Sequence, residues 1–317
     1  MDKTNQIKAY SAAIFFSVLV GFSFLGIKTC VPVANSLQIL VHRYNFAFLA
    51  LAILIVFRIA KLGLRGKPKK NLILTAGFYI GFMILQVVGL YFSTSIEGSI
   101  IFAIVPIFAQ IIAAVFLGER ATFRQNLFVC LTVVSLILMI LAGSSDISFH
   151  LSGIIFLVLS SISMAASNVF MRYVRSQYRP VEISAAIIVG GCIVFNLAFL
   201  VYGLSTGKMN TYFEPYQHRE FIIAVAYLGI GCILISAQMM SYLLSKMAAV
   251  KATIFGNVST AISIVAGALV LGEPLHWYHI VCTVLIITGV VGLSFSGQRQ
   301  KEEVKEAENE ISISDRK

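Results

Sequence analysis

The chain has 317 residues, of which 58% are hydrophobic and only 12% charged, with mean hydropathy +0.90. A soluble domain of this size needs more charge than that to wet its surface, so a water-soluble enzyme or regulator is excluded. The net charge of +10 would suit a nucleic-acid binder, but the bases sit in clusters between long apolar runs and not on one patterned face.

Those runs stand roughly at residues 9–28, 36–57, 71–92, 97–117, 125–142, 151–171, 182–204, 221–244, 251–271 and 277–296. Each has the length that the hydrocarbon core demands of a helix, about 20 residues. Backbone groups in lipid must be satisfied within their own segment, and the alternation of barrel strands is absent. The expected fold is an all-α integral membrane bundle of ten transmembrane helices. The connections divide by charge. Lys3, Lys8, Arg58 to Lys70, Arg120, Arg124, Arg172, Arg175, Arg179, Lys246, Lys251 and the tail lie on one side, against Lys28, Lys208 and Arg219 on the other. By the positive-inside rule both termini are cytoplasmic. The first run is followed by no small-residue cleavage site and is expected to be retained. Cys30, Cys130, Cys192, Cys232 and Cys282 lack paired spacing and read as small packing residues.

In chain order, span one ends Gly21-Phe22-Ser23-Phe24-Leu25-Gly26-Ile27-Lys28. Ser23 between small residues allows a neighbouring helix to come close, and Lys28 can snorkel outward. Span two carries His42-Arg43 inside its start. An arginine there costs about 2.5–3.5 kcal/mol on insertion scales. It either snorkels to the interface, or it lines a cavity or pairs with an acid. Span three has a small-residue face, Gly77 to Gly81, then Gln86 and Tyr91. Span eight answers with Gln238 and Tyr242.

Span four opens Glu97-Gly98-Ser99, is interrupted by Pro106 and closes Leu117-Gly118-Glu119. Span nine opens Lys251-Ala252-Thr253 and closes Leu271-Gly272-Glu273. The offset from Leu117 to Leu271 is 154 residues, which lays Glu97 on Lys251 and Pro106 on Thr260. Ser167 and Arg172 in span six likewise match Ser23 and Lys28. Five spans per half is an odd number, so the halves enter the membrane from opposite sides as inverted repeats. Glu97 and Lys251 then start their spans at opposite faces, either as water-satisfied interfacial residues or as a gate charge on each side. In span nine, Asn257 and Ser259 are polar at bilayer depth and need a partner or a cavity. Asn257 is expected to face the cavity and to bond substrate, Ser23 or Asn168, with packing against a neighbouring helix the alternative. The outer connection's Tyr212, Phe213, Tyr216 and His218 suit the headgroup belt.

On these features the chain resembles the drug/metabolite transporter superfamily, in its ten-span EamA branch. The resemblance is carried by Gly21 to Lys28, by Tyr91-Phe92-Ser93-Thr94-Ser95 leading to Pro106-Ile107-Phe108, and by the two Leu-Gly-Glu ends. It implies two inverted five-helix halves around a central cavity bounded by spans 1, 3, 4, 6, 8 and 9, with spans 5 and 10 peripheral. It also implies export of amino acids, other metabolites or toxic compounds. The family's tryptophan before Gly21 is Val20 here, and its proline in span nine is Thr260. The small multidrug members of the superfamily use a glutamate in their first span, whereas spans one and six here hold no acid.

No phosphate loop, paired carboxylates or metal-ligand spacing is present, so no cofactor or metal is expected and ATP is not the driver. The expected organisation is residues 1–145 as the first repeat, 146–297 as the second and 298–317 as a polar cytoplasmic tail. The expected function is alternating-access transport of a small organic, amino acid-like metabolite across the cell membrane. A proton-linked multidrug exporter is the alternative within transport. An intramembrane enzyme or a scaffold is the alternative from another class. Candidate substrate-binding residues are Ser23, Gln86, Tyr91, Asn168, Gln238, Tyr242, Asn257 and Ser259, with Arg43, Glu97 and Lys251 as gating charges. The expected partners are a small-molecule substrate and the lipid bilayer, with a homodimer admissible and nucleic acid not among them.

Overall fold

The computed structural model describes residues 3–60, 62–63, 66–117, 123–143, 151–174, 177–239 and 249–289, with residues 291, 292 and 295 beyond. Among these there is no β-strand. The helices are α1 (Lys3–Gly21), α2 (Ser23–Cys30), α3 (Ser36–Val56), α4 (Lys70–Phe92), α5 (Ser95–Phe102), α6 (Val105–Leu117), α7 (Phe123–Gly143), α8 (Leu151–Val174), α9 (Pro180–Thr206), α10 (Arg219–Ala226), α11 (Ala249–Val270) and α12 (Trp277–Gly289). A 3-10 segment, Met209–Gln217, precedes α10, and a π-helical segment, Tyr227–Ile235, continues it.

Six stretches are long and apolar enough to cross a bilayer: Ser11–Cys30, Ser36–Val56, Lys70–Phe92, Leu151–Met171, Pro180–Thr206 and Arg219–Met239. Ser95–Ala109, Asn126–Ser135, Val258–Val270 and Trp277–Gly289 are shorter, so four of the ten expected runs fall short of a full crossing among the described residues. Large apolar side chains face outward along the helices, Val56 at 76% and Leu269 at 81% exposure among them. In water such a surface would aggregate, whereas in lipid it is solvated.

Span one is α1 and α2, separated at Phe22. Span four breaks at Ala103 and Ile104, between α5 and α6. Pro106 has no N–H for the carbonyl four residues back, at Phe102, and this accounts for the break falling just ahead of it. Span nine has Thr260 at the matching place, and α11 runs through it without interruption.

Numbering the ten expected runs in chain order, three lies along six and one along eight. Four touches six, and nine touches one. Two touches eight, and seven touches three. Two meets seven, and four meets nine. Five meets ten where Gly289 faces Thr132 and Gly292 faces Phe128.

Serines join the inner helices. Ser163 Oγ donates to the Phe78 carbonyl (2.8 Å) and Ser167 Oγ to that of Thr75 (3.1 Å), tying α8 to α4. Ser99 Oγ meets Ser263 Oγ at 2.5 Å, tying α5 to α11. The close approach of α4 and α8 depends on Gly81, Gly89 and Gly153. The small-residue face expected over Gly77 to Gly81 is half right, since a Cβ on Gly77 would meet nothing within 4 Å.

The two glycine environments predict opposite outcomes. A Cβ at Gly153 would run into Ser93 Oγ and approach the Phe92 carbonyl carbon to 3.0 Å. Gly153→Ala should therefore lower thermal stability in detergent by roughly 1–3 kcal/mol. Gly77→Ala, on the open face, should leave it unchanged or raise it by up to about 1 kcal/mol. Equal melting temperatures for Gly153→Ala and the wild type would show that α4 and α8 are not packed this closely.

Candidate functional site

Arg43 stands on the inward face of α3 at 2% exposure. It does not snorkel. The reason is direction: its Nε donates to the Leu228 carbonyl (3.3 Å) of the π segment, and Gly229 beside it lets α3 approach until a Cβ there would strike the Arg43 carbonyl. Among the described residues, Arg43 Nη1 and Tyr44 Oη are buried without a hydrogen-bond partner. The guanidinium of span two therefore lies against span eight. At the bend of span one the Leu19 carbonyl accepts the Tyr227 hydroxyl and the Cys232 thiol.

Toward the end that bears Lys28, the Leu-Gly-Glu sequence closing span nine has a concrete geometry. Gly272 adopts the left-handed conformation (φ +64°), and the amides of Leu271 and Glu273 both return to the Gly267 carbonyl (3.2 Å each). This is a glycine-terminated helix end. It projects the Glu273 carboxylate onto the N-terminus of α5, where it accepts from Ser95 N (2.8 Å), Ser95 Oγ (2.7 Å) and Ile96 N (3.1 Å). Glu97, expected as a gate charge, belongs to the same helix end as the second half of a capping box. Its carboxylate accepts from Thr94 N (2.8 Å), while Glu97 N donates to Thr94 Oγ1 (3.1 Å). Lys28 is half-buried and donates to the Leu90 carbonyl (3.0 Å).

At the opposite end Glu182 binds the basic loop. It accepts from Gly63 N (2.9 Å), Lys67 Nζ (2.7 Å) and Arg179 N (2.8 Å). Asn35 and Gln38 form the equivalent box at the start of α3, and Gln38 Nε2 reaches across to the Thr211 carbonyl (2.7 Å).

The remaining candidates divide. Ser23 is buried at the bend, beside Gly21, which lies against Ile262 and the Ser259 carbonyl. Ser259 is buried too, so Ser23 and Ser259 share one junction of spans one and nine. Gln86 is buried and Asn168 half-buried. Gln238 Nε2 is a buried donor without a partner. The Tyr91 hydroxyl donates to the Ala34 carbonyl in the connection before α3. Tyr242 and the side chains of Lys251 and Asn257 lie outside the described residues. So do Gly118 and Glu119 of the first Leu-Gly-Glu.

Sequence reading missed a closed polar ring. Asn45 donates to Tyr212 Oη (2.6 Å), Tyr212 to Asn196 Oδ1 (3.0 Å) and Asn196 to Asn45 Oδ1 (2.7 Å). Only the pairing of amides on two different spans could have flagged it, and nothing in the spacing shows that pairing. The outer aromatics do more than sit in a headgroup belt: Tyr212 and Tyr216 pack edge-on to His42 at 4.8 and 4.7 Å. Burial pushes both phenols above their usual range. Asn196 and Tyr212 of the ring line an open lateral recess of about 660 Å³ between α3, α9 and the 3-10 segment. A second, apolar recess of about 380 Å³ lies between Phe22 and α11.

An apolar-faced helical bundle with this many crossings is a multi-pass membrane protein. The chain belongs to the EamA-like transporter family, whose pattern it matches twice, over residues 7–141 and 151–295. An uncharacterized transporter of Bacillus subtilis (strain 168), YcxC, is 34% identical over 302 residues, covering 95% of this chain and 97% of its own. An uncharacterized transporter of Archaeoglobus fulgidus is 23% identical, covering 85% of this chain and 92% of its own. A protein of known crystal structure, 14% identical, has the same fold, with a TM-score of 0.65 over 92% of this chain and 99% of that one.

The two acids at the start of α5 should differ under substitution. Glu273→Ala strands two amides and a hydroxyl, and should cost about 2–3 kcal/mol in thermal unfolding. Glu97→Gln keeps the box, since glutamine serves at that position, and should cost less than about 1 kcal/mol. Equal losses would show that Glu273 does not cap this helix.

Proposed function

We propose that this chain is a secondary transporter that moves a small organic metabolite, amino acid-like in size, by alternating access. On this reading ten spans form two inverted halves, residues 1–145 and 146–297, and residues 298–317 are a polar cytoplasmic tail. The observation that carries it is the exchange of packing partners. Three on six becomes eight on one, four on six becomes nine on one, and two on eight becomes seven on three. Adding or subtracting five turns each of these contacts into its counterpart. Two halves related this way can trade places around a central site.

Two further features support the reading. The starts of spans two and seven each carry a capping box whose third residue, Gln38 or Glu182, reaches the other half. The breaks in spans one and four and the π segment in span eight are irregular backbone held within protein, where transporter helices tolerate it. Placement in the cell membrane with cytoplasmic termini rests on the charge distribution of the connections, and export rests on the family resemblance.

Reconstituted protein, in vesicles loaded with radiolabelled amino acids and small organic acids, should release at least one of them saturably and faster than protein-free vesicles. Leak equal to that of empty vesicles for all of them would overturn the transport reading. For orientation, single cysteines at Lys69 and Phe213, both exposed, separate the faces in an otherwise cysteine-free chain. An impermeant thiol reagent on intact cells should label only position 213, and labelling at position 69 would reverse the orientation.

A further inference from the structure

We propose that Arg43 is the recognition point for a carboxylate on the transported solute, which makes the substrate class a small organic anion. This rests on the transporter reading above and adds the charge of the substrate to it.

Arg43 is the eighth residue of α3, about 10 Å along the helix from its start. Its guanidinium stays protonated under any physiological condition. One nitrogen is held by the Leu228 carbonyl, while Nη1 is buried with no acceptor. A buried cation without a counter-charge is costly in any protein interior, and more so inside a bundle surrounded by lipid.

The carboxylates that could neutralise it are engaged elsewhere. Glu182 is held by Lys67, Gly63 and Arg179, Glu273 by Ser95 and Ile96, and Glu97 by Thr94. Glu214 and Glu220 are exposed on the outer connection. Among the described residues no acid lies within ion-pair distance of Arg43.

The neighbouring group is of the same kind. Tyr44 Oη is buried without a partner among the described residues. Two buried donors without an acceptor call for a group rich in lone pairs, and a carboxylate offers about four acceptor sites. A cationic solute would meet an unneutralised like charge. A neutral one would leave that charge unpaired.

The symmetry of the bundle points to the same place. Laying Gln38 on Glu182 puts Arg43 on Ile187, an apolar side chain at 3% exposure. The π segment is equally one-sided: α4, the counterpart in the first half, is a regular α-helix over Lys70–Phe92. Features that build the scaffold occur in both halves. Arg43 and the π segment occur once and are bonded to each other. π turns persist in helices mainly at functional positions.

The test uses the purified full chain in detergent. Its thermal unfolding is followed against sodium lactate, succinate and phenylacetate, with the corresponding amides as neutral partners. At least one acid should raise the melting temperature where its amide does not. Arg43→Gln and Arg43→Met should each weaken that response about tenfold or more, as loss of a charge-assisted hydrogen bond predicts. Without ligand, Arg43→Met should melt no lower than the wild type, because it removes an unpaired charge. A lower unliganded melting temperature for Arg43→Met would mark Arg43 as a structural brace and overturn the proposal. So would an equal response to acids and amides in the wild type. Flux of a neutral or cationic solute that Arg43→Met leaves unchanged would overturn the anion site and leave the transporter reading standing. Acid binding that depends on Arg43, with no flux of any solute, would support the site and sink the transporter reading.

Discussion

The Glu273 carboxylate closes the N-terminus of a helix that begins inside the protein, and much of the architecture depends on ties of this kind. An α-helix leaves its first amides unpaired. In water they would be solvated, but in a lipid-surrounded bundle another part of the chain must supply the acceptor. Span four starts at Ser95, where α11 ends, and the acceptor comes from the residue after a left-handed glycine. The Leu-Gly-Glu sequence is therefore a device in three parts. Leucine ends the apolar run, glycine turns the chain, and glutamate caps a helix of the other half. The same constraint explains Glu182 on the basic loop and Gln38 on the 3-10 segment. Each stitches the first half to the second, so satisfying a helix end also sets how the halves meet.

Within this frame, doubled features and single features have different physical meanings. The capping boxes of α3 and α9 and the serine ties of α4 to α8 and α5 to α11 satisfy groups that any such bundle must satisfy. Arg43 and the π segment are found in one half only, and the Asn45–Asn196–Tyr212 ring joins the two halves. The ring is closed, each member donating to or accepting from the next, and it costs little to keep. Arg43 Nη1 and Tyr44 Oη have no hydrogen-bond partner among the described residues.

Much of this was legible in the sequence, because lipid imposes simple rules. Ten apolar runs of bilayer length, bases alternating between connections and a repeated Leu-Gly-Glu were readable without coordinates. So was Pro106 as a break, and the structure places that break at Ala103 and Ile104. What stayed hidden was which partner each polar residue takes. Glu97 and Glu273 look alike as lone acids at span ends, yet one caps its own helix and the other caps a helix nearly two hundred residues away in sequence. Tyr91 and Gln86 look like a cavity pair, yet Tyr91 is used on a loop carbonyl. Arg43 could have snorkelled, and only the direction of α3, fixed by its contact with Gly229, decides that it does not. The π segment has no composition of its own, since Tyr227–Ile235 reads as any apolar run.

The pair Gln38 and Glu182 shows how the topology of charge reaches into the interior. Both are the third residue of a helix entering the bundle, both complete a capping box, and both touch a connection of the opposite half. One is neutral and the other is charged. With the orientation proposed above, Glu182 faces the cytoplasmic connection, where the positive-inside rule gathers Lys67 and its neighbours. A carboxylate there finds a cation at 2.7 Å, with the Lys67 side chain still 28% exposed. Gln38 faces the outer connection, whose nearest contact is a backbone carbonyl. A carboxylate at Gln38 would be repelled by that carbonyl and would have no base to offset its burial. A neutral amide donates to it instead, for roughly 1 kcal/mol against about 1.5–3 for the charged contact. The two ends of the bundle are thus held by ties of the same geometry and unequal strength, and the inequality follows from which connections carry the bases.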